Sequence, residues 1–184
     1  MPHNTVILDV DNVVADFTTH LLSFVKTPLT RADIKKYDIF WYLDVDATSH
    51  AHSVLGSPSF WACLPLIPGA SEGVQKIRAA GLNILWATSP WVPCIGWDTA
   101  RCGWLRMHFG AESHDVMIGS AKQHLVGCAF LDDVPSHVLK WRKVHGDARA
   151  FLFDSHHNQD ADTSLTRIDW SSIDRLIAAA TANR

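Results

Sequence analysis

The stretch VILDVDNVVADF, residues 6–17, decides how the rest of the chain is read. Val6, Ile7 and Leu8 have the composition of a buried strand, and they run straight into Asp9, with Asp11 after a single valine. Alternate residues of an extended chain point the same way, so both carboxylates face one side of the strand's end. Like charges that close repel each other, and a strand needs neither of them to stop. A bound cation is the usual physical reason for such a pair.

Further along the chain, short apolar runs alternate with helical patterns. TVILDV (5–10), NILWAT (83–88), DVMIG (115–119), CAFLDD (128–133) and AFLF (150–153) read as buried strands. Between them, residues 69–81, 97–110 and 134–146 place apolar residues at helical spacing and end in glycine, and residues 169–182 read as a terminal helix. Strand–helix alternation with short links predicts an α/β fold, a parallel sheet covered on both faces. Residues 18–64 break the rhythm with turn formers and aromatics. They read as a small, mainly helical insertion after the first strand, which leaves 1–17 and 65–184 as the core.

Bulk properties narrow the class. A chain of 184 residues with 47% hydrophobic and 19% charged residues is ordinary for a globular domain. A net charge of −3 offers no basic field for a polynucleotide backbone. The four cysteines, Cys63, Cys94, Cys102 and Cys128, form no C-x-x-C pair, which suggests reduced thiols and a cytoplasmic setting. The opening residues lack a signal-peptide pattern, and no apolar run approaches the roughly 20 residues that span a bilayer, so no membrane role is expected.

Polar groups collect where these strands end. Asp9 and Asp11 follow the first, Thr88 and Ser89 the second, Lys122 the third, and Asp132 and Asp133 the fourth. In an open parallel sheet all such ends lie on one edge, where these folds bind ligands. The inventory suits phosphate-ester chemistry. Carboxylates can hold Mg²⁺ through oxygen, the hydroxyl pair suits phosphate oxygens, and Lys122 supplies fixed positive charge. Asp9 can attack phosphorus, while Asp11 protonates the leaving oxygen and then activates water.

In order and spacing, DVDNV, TSP, the lone lysine of SAKQH, and FLDD resemble the four motifs of the haloacid dehalogenase-like phosphatases. The resemblance implies a three-layer Rossmann-like sheet bearing a small helical cap. DVDNVVADF, SFWACLPLIPGA, ATSPW and FLDDVP look more narrowly like the 5′(3′)-deoxyribonucleotidase branch. That likeness implies hydrolysis of a (deoxy)nucleoside monophosphate through an aspartyl-phosphate, with Mg²⁺ as cofactor. It makes Asp9 the nucleophile and Asp11 the acid/base, with Asp9, Asp11 (through its carbonyl), Asp133 and the adjacent Asp132 around the metal. Thr88, Ser89 and Lys122 would hold the phosphate, and Phe17, Phe40 and Trp41 would enclose the nucleoside. Relatives of that branch are often dimeric, so a homodimer is among the implied partners, although the sequence marks no interface. Asn12 stands where the family usually has glycine, and asparagine is the next most tolerant residue of a left-handed turn.

Other readings stand beside these. The same chemistry on a sugar phosphate or a 3′-phosphate end, or a phosphate-binding protein without turnover, would use the same motifs. Trp86 lies within a strand and reads as core, while Trp91 reads equally as core or as lining of the mouth. Asp16 reads as a helix cap or loop anchor. The histidines of SHAH (49–52) and SHHNQD (155–160) lack partners at zinc-site spacing and read as surface loops, and Lys140 and Lys143 as solvated side chains.

Overall fold

The computed structural model describes residues 4–182. Six strands, β1 (Thr5–Asp9), β2 (Asn83–Thr88), β3 (Val116–Ile118), β4 (Ala129–Asp132), β5 (Ala150–Phe153) and β6 (Thr166–Ile168), form one sheet in the order β3-β2-β1-β4-β5-β6. Every pairing is parallel. The helices are α1 (Phe17–Phe24), α2 (Val45–Leu55), α3 (Pro58–Ala62), α4 (Ala70–Ala79), α5 (Trp97–Phe109), α6 (Pro135–His145) and α7 (Asp174–Thr181). The strands expected from the sequence form as β1 to β5, trimmed by a residue or two at some ends.

Alternation along the strands builds the two faces. Leu8, Ile84, Trp86, Leu131, Phe151 and Phe153 turn to one core, which takes in Val74 of α4, Trp104 and Leu105 of α5, and Leu176 of α7. Ile7, Ala87, Phe130 and Leu152 turn to the other, against Val138 and Trp141 of α6. Burying both faces explains why these strands read as continuous apolar runs. The fit on the first face is close. A Cβ added to Gly73 would lie 2.0 Å from the Trp170 ring, so the indole needs glycine there.

Strand order reverses about β1, which lies between β2 and β4. Ligands bind at such a switch point, outside the carboxyl ends of the strands. The chain leaves β1 through a tight turn in which the Val10 carbonyl accepts from the amides of Val14 and Ala15, both at 2.9 Å. Asn12 sits in the turn at φ 57°, the left-handed conformation its side chain tolerates. Its Oδ1 accepts from the Thr18 amide at 3.1 Å and the Thr18 hydroxyl at 2.9 Å, which ties the turn to α1. Asp16 caps α1 by accepting from the Thr19 amide and also pairs with Arg31.

Residues 17–62 carry α1, α2, α3 and the 3₁₀ turns Arg31–Asp33 and Ile39–Tyr42. SHAH belongs to α2, a helix begun by Asp44, whose side chain accepts from the Ala47 amide at 2.8 Å; it is not a loop. At the other end of the chain, a 3₁₀ turn over Trp170–Ser172 precedes the short α7, in place of one continuous terminal helix. Among the described residues, no helix is long and apolar enough to cross a membrane.

Candidate active site

The charged strand ends meet. The Lys122 ammonium donates to Asp9 Oδ1 at 2.6 Å and to Asp132 Oδ2 at 2.8 Å. All three side chains are buried. Asp9, Asp132 and Asp133 each bring a carboxylate oxygen within 4.8 Å of the others'. Lys122 reaches them because the chain after β3 folds into a 3₁₀ turn over Lys122–His124, packed against α6.

One ammonium faces three carboxylates, and the electrostatics follow from that imbalance. Burial pushes the Asp9 carboxyl well above the usual carboxylate range, Lys122 pulls it back, and Asp132 and Asp133 add to the rise. Burial works against Asp132 too, but Lys122 and then His137 outweigh it and hold this acid at about 2. Burial likewise opposes the Lys122 charge, and the two carboxylates overcome it, so its pKa rises above lysine's ordinary value.

Asp132 and Asp133 differ in what occupies their oxygens. Asp132 Oδ1 accepts from the Val134 amide at 2.8 Å, Oδ2 takes Lys122, and the His137 ring nitrogen Nδ1 lies 3.1 to 3.2 Å from both. Asp132 therefore also orders the turn that leads into α6. Among the described residues, Asp133 keeps both oxygens buried without a well-aligned hydrogen bond, although His157 Nε2 stands 3.1 Å from Oδ2. A buried, under-satisfied carboxylate beside two others is a costly arrangement without a cation. An all-oxygen carboxylate set is the donor set of a hard divalent ion such as Mg²⁺, so these residues fit that cofactor.

SHHNQD is only in part a surface loop: His156, Gln159 and Asp160 are exposed, whereas Asn158 is buried and the His157 side chain is 4% exposed. The Asn158 amide donates to the Asp133 and Phe153 carbonyls, each at 2.8 Å. Arg167 grips the Asn158 side chain and donates to its carbonyl at 2.8 Å. The segment follows β5, so the rule that places ligands at strand ends covers it as well.

Asp11 lies near this cluster, half-buried, with both oxygens 2.7 and 2.8 Å from Arg101 Nη2. Arg101 is fully buried on α5, and its guanidinium lies 5.3 Å from the Trp61 ring and 5.4 Å from the Trp97 ring. The sequence holds a signal for it. Arg101 interrupts the apolar row Trp97, Trp104, Leu105, and a lone charge on a helix's buried face needs a partner.

A cavity of about 600 Å³ opens over the cluster and is lined by Asp9, Asp11, Ser89, Lys122 and Asp133 at its charged end. Thr88 is not part of this lining: it is fully buried at the end of β2, and among the described residues its hydroxyl has no hydrogen-bond partner. Phe17, Tyr37, Phe40, Trp61, Trp91 and His52 supply the aromatic lining. Phe17 stacks on Trp61 at 5.7 Å, and Phe40 stacks on His52 at 4.6 Å. Trp86 is core, as expected. Trp41 is the expected aromatic that the cavity lacks. It is 72% exposed, with the Lys36 ammonium 4.5 Å over its ring. In a 3₁₀ turn neighbouring side chains diverge, so Phe40 and Trp41 cannot face one pocket together.

Solved structures share this architecture. A HAD family hydrolase from Deinococcus radiodurans, crystallised with phosphate and sodium, superposes with a TM-score of 0.60 at 14% identity, covering 97% of this chain and 96% of that one. A Thermotoga maritima protein provisionally named β-phosphoglucomutase gives 0.51 at 12% identity, with 92% and 96% covered. The fold is that of the haloacid dehalogenase-like hydrolases, and its acidic strand ends converge where that fold binds its ligands.

The family described as "5′ nucleotidase, deoxy (Pyrimidine), cytosolic type C protein" matches residues 3–183, and the chain belongs to it. A Bordetella bronchiseptica protein provisionally named 5′(3′)-deoxyribonucleotidase is 24% identical over 94% of this chain and 95% of its own length. Its Bordetella pertussis counterpart is 23% identical over the same shares.

Proposed function

We propose that this protein is a phosphomonoesterase that hydrolyses nucleoside monophosphates, with 2′-deoxynucleotides favoured. One observation carries the reading. The Lys122 ammonium bridges Asp9 and Asp132 at 2.6 and 2.8 Å, at the charged end of a cavity whose other end is aromatic. The family's description and the names of the Bordetella relatives supply the substrate class.

In this reading Asp9 attacks the phosphorus of the ester. The P–O bond to the leaving group breaks with its electron pair going to oxygen, and Asp11 delivers the proton. Asp11 then takes a proton from water, whose oxygen attacks the aspartyl-phosphate and releases Asp9 and inorganic phosphate. Lys122, Ser89 and the unpartnered Thr88 hydroxyl hold the phosphate oxygens. Arg101 fixes the Asp11 carboxylate next to the leaving group. Asp9, Asp133 and the Asp11 carbonyl are the ligands proposed for Mg²⁺, and Asp132, with both oxygens already engaged, serves Lys122 and α6. When bound, Mg²⁺ supplies charge neutralisation for the phosphoryl oxygens. Residues 18–64 act as a cap over the leaving group and keep bulk water from the phosphoenzyme.

The test is phosphate release from a panel of ribo- and deoxyribonucleoside monophosphates and sugar phosphates, with and without Mg²⁺. The expected result is preferential, Mg²⁺-dependent hydrolysis of the deoxynucleotides. Preference for a sugar phosphate would overturn the substrate assignment, and turnover in Asp9→Asn would overturn the mechanism.

A further inference from the structure

The His157 ring touches Asp133 on one side and Ser155 on the other. Its Nε2 stands 3.1 Å from Asp133 Oδ2 and 3.3 Å from the Asp133 carbonyl, and its Nδ1 lies 3.0 Å from Ser155 Oγ. An ionised carboxylate and a carbonyl only accept, so Nε2 carries a hydrogen. In the neutral ring Nδ1 then offers a lone pair, and the Ser155 hydroxyl donates to it. That leaves the Ser155 oxygen free to face a positive charge, and one is present. Arg31 Nη2 lies 3.5 Å from it. At this length the guanidinium acts through its field as much as through a hydrogen bond. A hydroxyl turns its oxygen toward a cation and its hydrogen away, here toward His157. The donors therefore run one way, from Arg31 to Ser155, from Ser155 to His157, and from His157 to Asp133.

This chain starts outside the sheet. Arg31 belongs to the insertion, on the 3₁₀ turn Arg31–Asp33, which packs against the 3₁₀ turn His156–Asn158 after β5. Its Nη1 pairs with Asp16, the cap of α1, so the guanidinium is held while Nη2 faces Ser155. Ser155 is buried, and among the described residues its hydroxyl meets Arg31 and His157 alone. We propose that Arg31 is a positioning residue for Asp133, acting from the insertion through Ser155 and His157 to hold that carboxylate as it takes the divalent ion. The inference rests on the reading of Asp133 as a metal ligand and deepens it. Hydrogen-bond partners behind a ligating carboxylate set its orientation, and Asp133 has His157 as the side chain at its Oδ2. Loss of one such link weakens affinity by about 3- to 10-fold.

The experiment titrates Mn²⁺ into the whole chain and follows the free ion by electron paramagnetic resonance, with folding checked by circular dichroism. The wild type is compared with Ser155→Ala, Arg31→Met, the double variant and Arg31→Lys. Ser155→Ala leaves the pair of Arg31 with Asp16 untouched and should weaken Mn²⁺ binding by about 3- to 10-fold. Arg31→Met, which keeps the length of the stem and loses the charge, should weaken it by about 3-fold. The double variant should match Ser155→Ala instead of multiplying the two losses, because both changes cut the same chain. Arg31→Lys, which restores a positive charge, should recover part of the loss. Wild-type affinity in Ser155→Ala or in Arg31→Met, or full multiplication in the double variant, would overturn the role of Arg31 while leaving Asp133 as a ligand. Absence of Mn²⁺ binding by the wild type, or undiminished binding by Asp133→Asn, would overturn the metal reading and the inference with it.

Discussion

The two ends of the cavity are built on opposite principles. At the charged end, Asp9, Lys122, Asp132 and Asp133 are at most 6% exposed and come from the ends of the strands or the loops directly after them. Strand register fixes each position, and burial makes each charge depend on the others. At the other end, Phe40, His52 and Trp91 come from a 3₁₀ turn, a helix and a loop, make mainly ring contacts, and stay partly open to solvent. The first end can hold a transition state rigidly, and the second can be altered at little cost to the fold. Chemistry is therefore expected to be brittle and specificity tunable.

The sharpest way to break that contrast is Asp9→Asn. Loss of the proposed nucleophile should lower kcat on the order of 10⁴-fold or more. The same change removes a carboxylate that burial and its acidic neighbours disfavour, so the metal-free Tm should not fall. Calorimetry of the variant beside a phosphate-release assay checks both halves, and a large loss of Tm would contradict the electrostatic account.

Lys122→Met should act on stability as well. It leaves Asp9 and Asp132 buried without the ammonium that bridges them, a loss of roughly 3–5 kcal/mol. For a chain of 184 residues this corresponds to a Tm lower by about 10 °C. Added Mg²⁺ should restore part of the loss, because a cation bound to these carboxylates stabilises only the folded state. A Tm within about 1 °C of wild type would mean that the charged end is not interdependent. His157→Ala should be milder, weakening divalent-metal affinity by about 10-fold through Asp133 while the sheet stays intact. Titration with Mn²⁺ followed by electron paramagnetic resonance reads that affinity without any turnover.

The same contrast explains what could be read from the sequence. The parallel sheet and its charged edge were legible because strand composition, helix stops and the polar residues at strand ends are local features, and one topological rule brings them together. Strand β6 was not, since Thr166–Ile168 is too short for a period to emerge. His157 and Asn158 escaped as two polar residues in a polar loop, although their place after β5 puts them on the same edge. Arg101 was visible only as a charge in an apolar helical row. The insertion between β1 and β2 was the least legible. Whether Phe40 or Trp41 faces inward depends on the path of a 3₁₀ turn, and whether His52 reaches the cavity depends on how α2 packs. Neither is encoded in a neighbouring motif.

Adjacent residues of the cap provide the finest test. Phe40 stacks on His52 and lines the cavity, whereas Trp41 points to solvent under Lys36. If ring contact with the base is what matters, Phe40→Ala should raise KM by about 5-fold or more, since stacking on one base is worth about 1–3 kcal/mol. It should leave kcat within about 2-fold, because the group is remote from the reacting phosphorus and binds ground and transition states alike. Trp41→Ala, despite removing the larger ring, should leave KM within about 2-fold, since an exposed cation–π contact contributes only about 0.5–1 kcal/mol, and to the cap alone. Steady-state kinetics on dTMP separate the two. A KM effect from Trp41 equal to that from Phe40 would mean that the cap turns this segment inward when substrate binds, and the leaving-group end would then be formed by closure instead of being present beforehand.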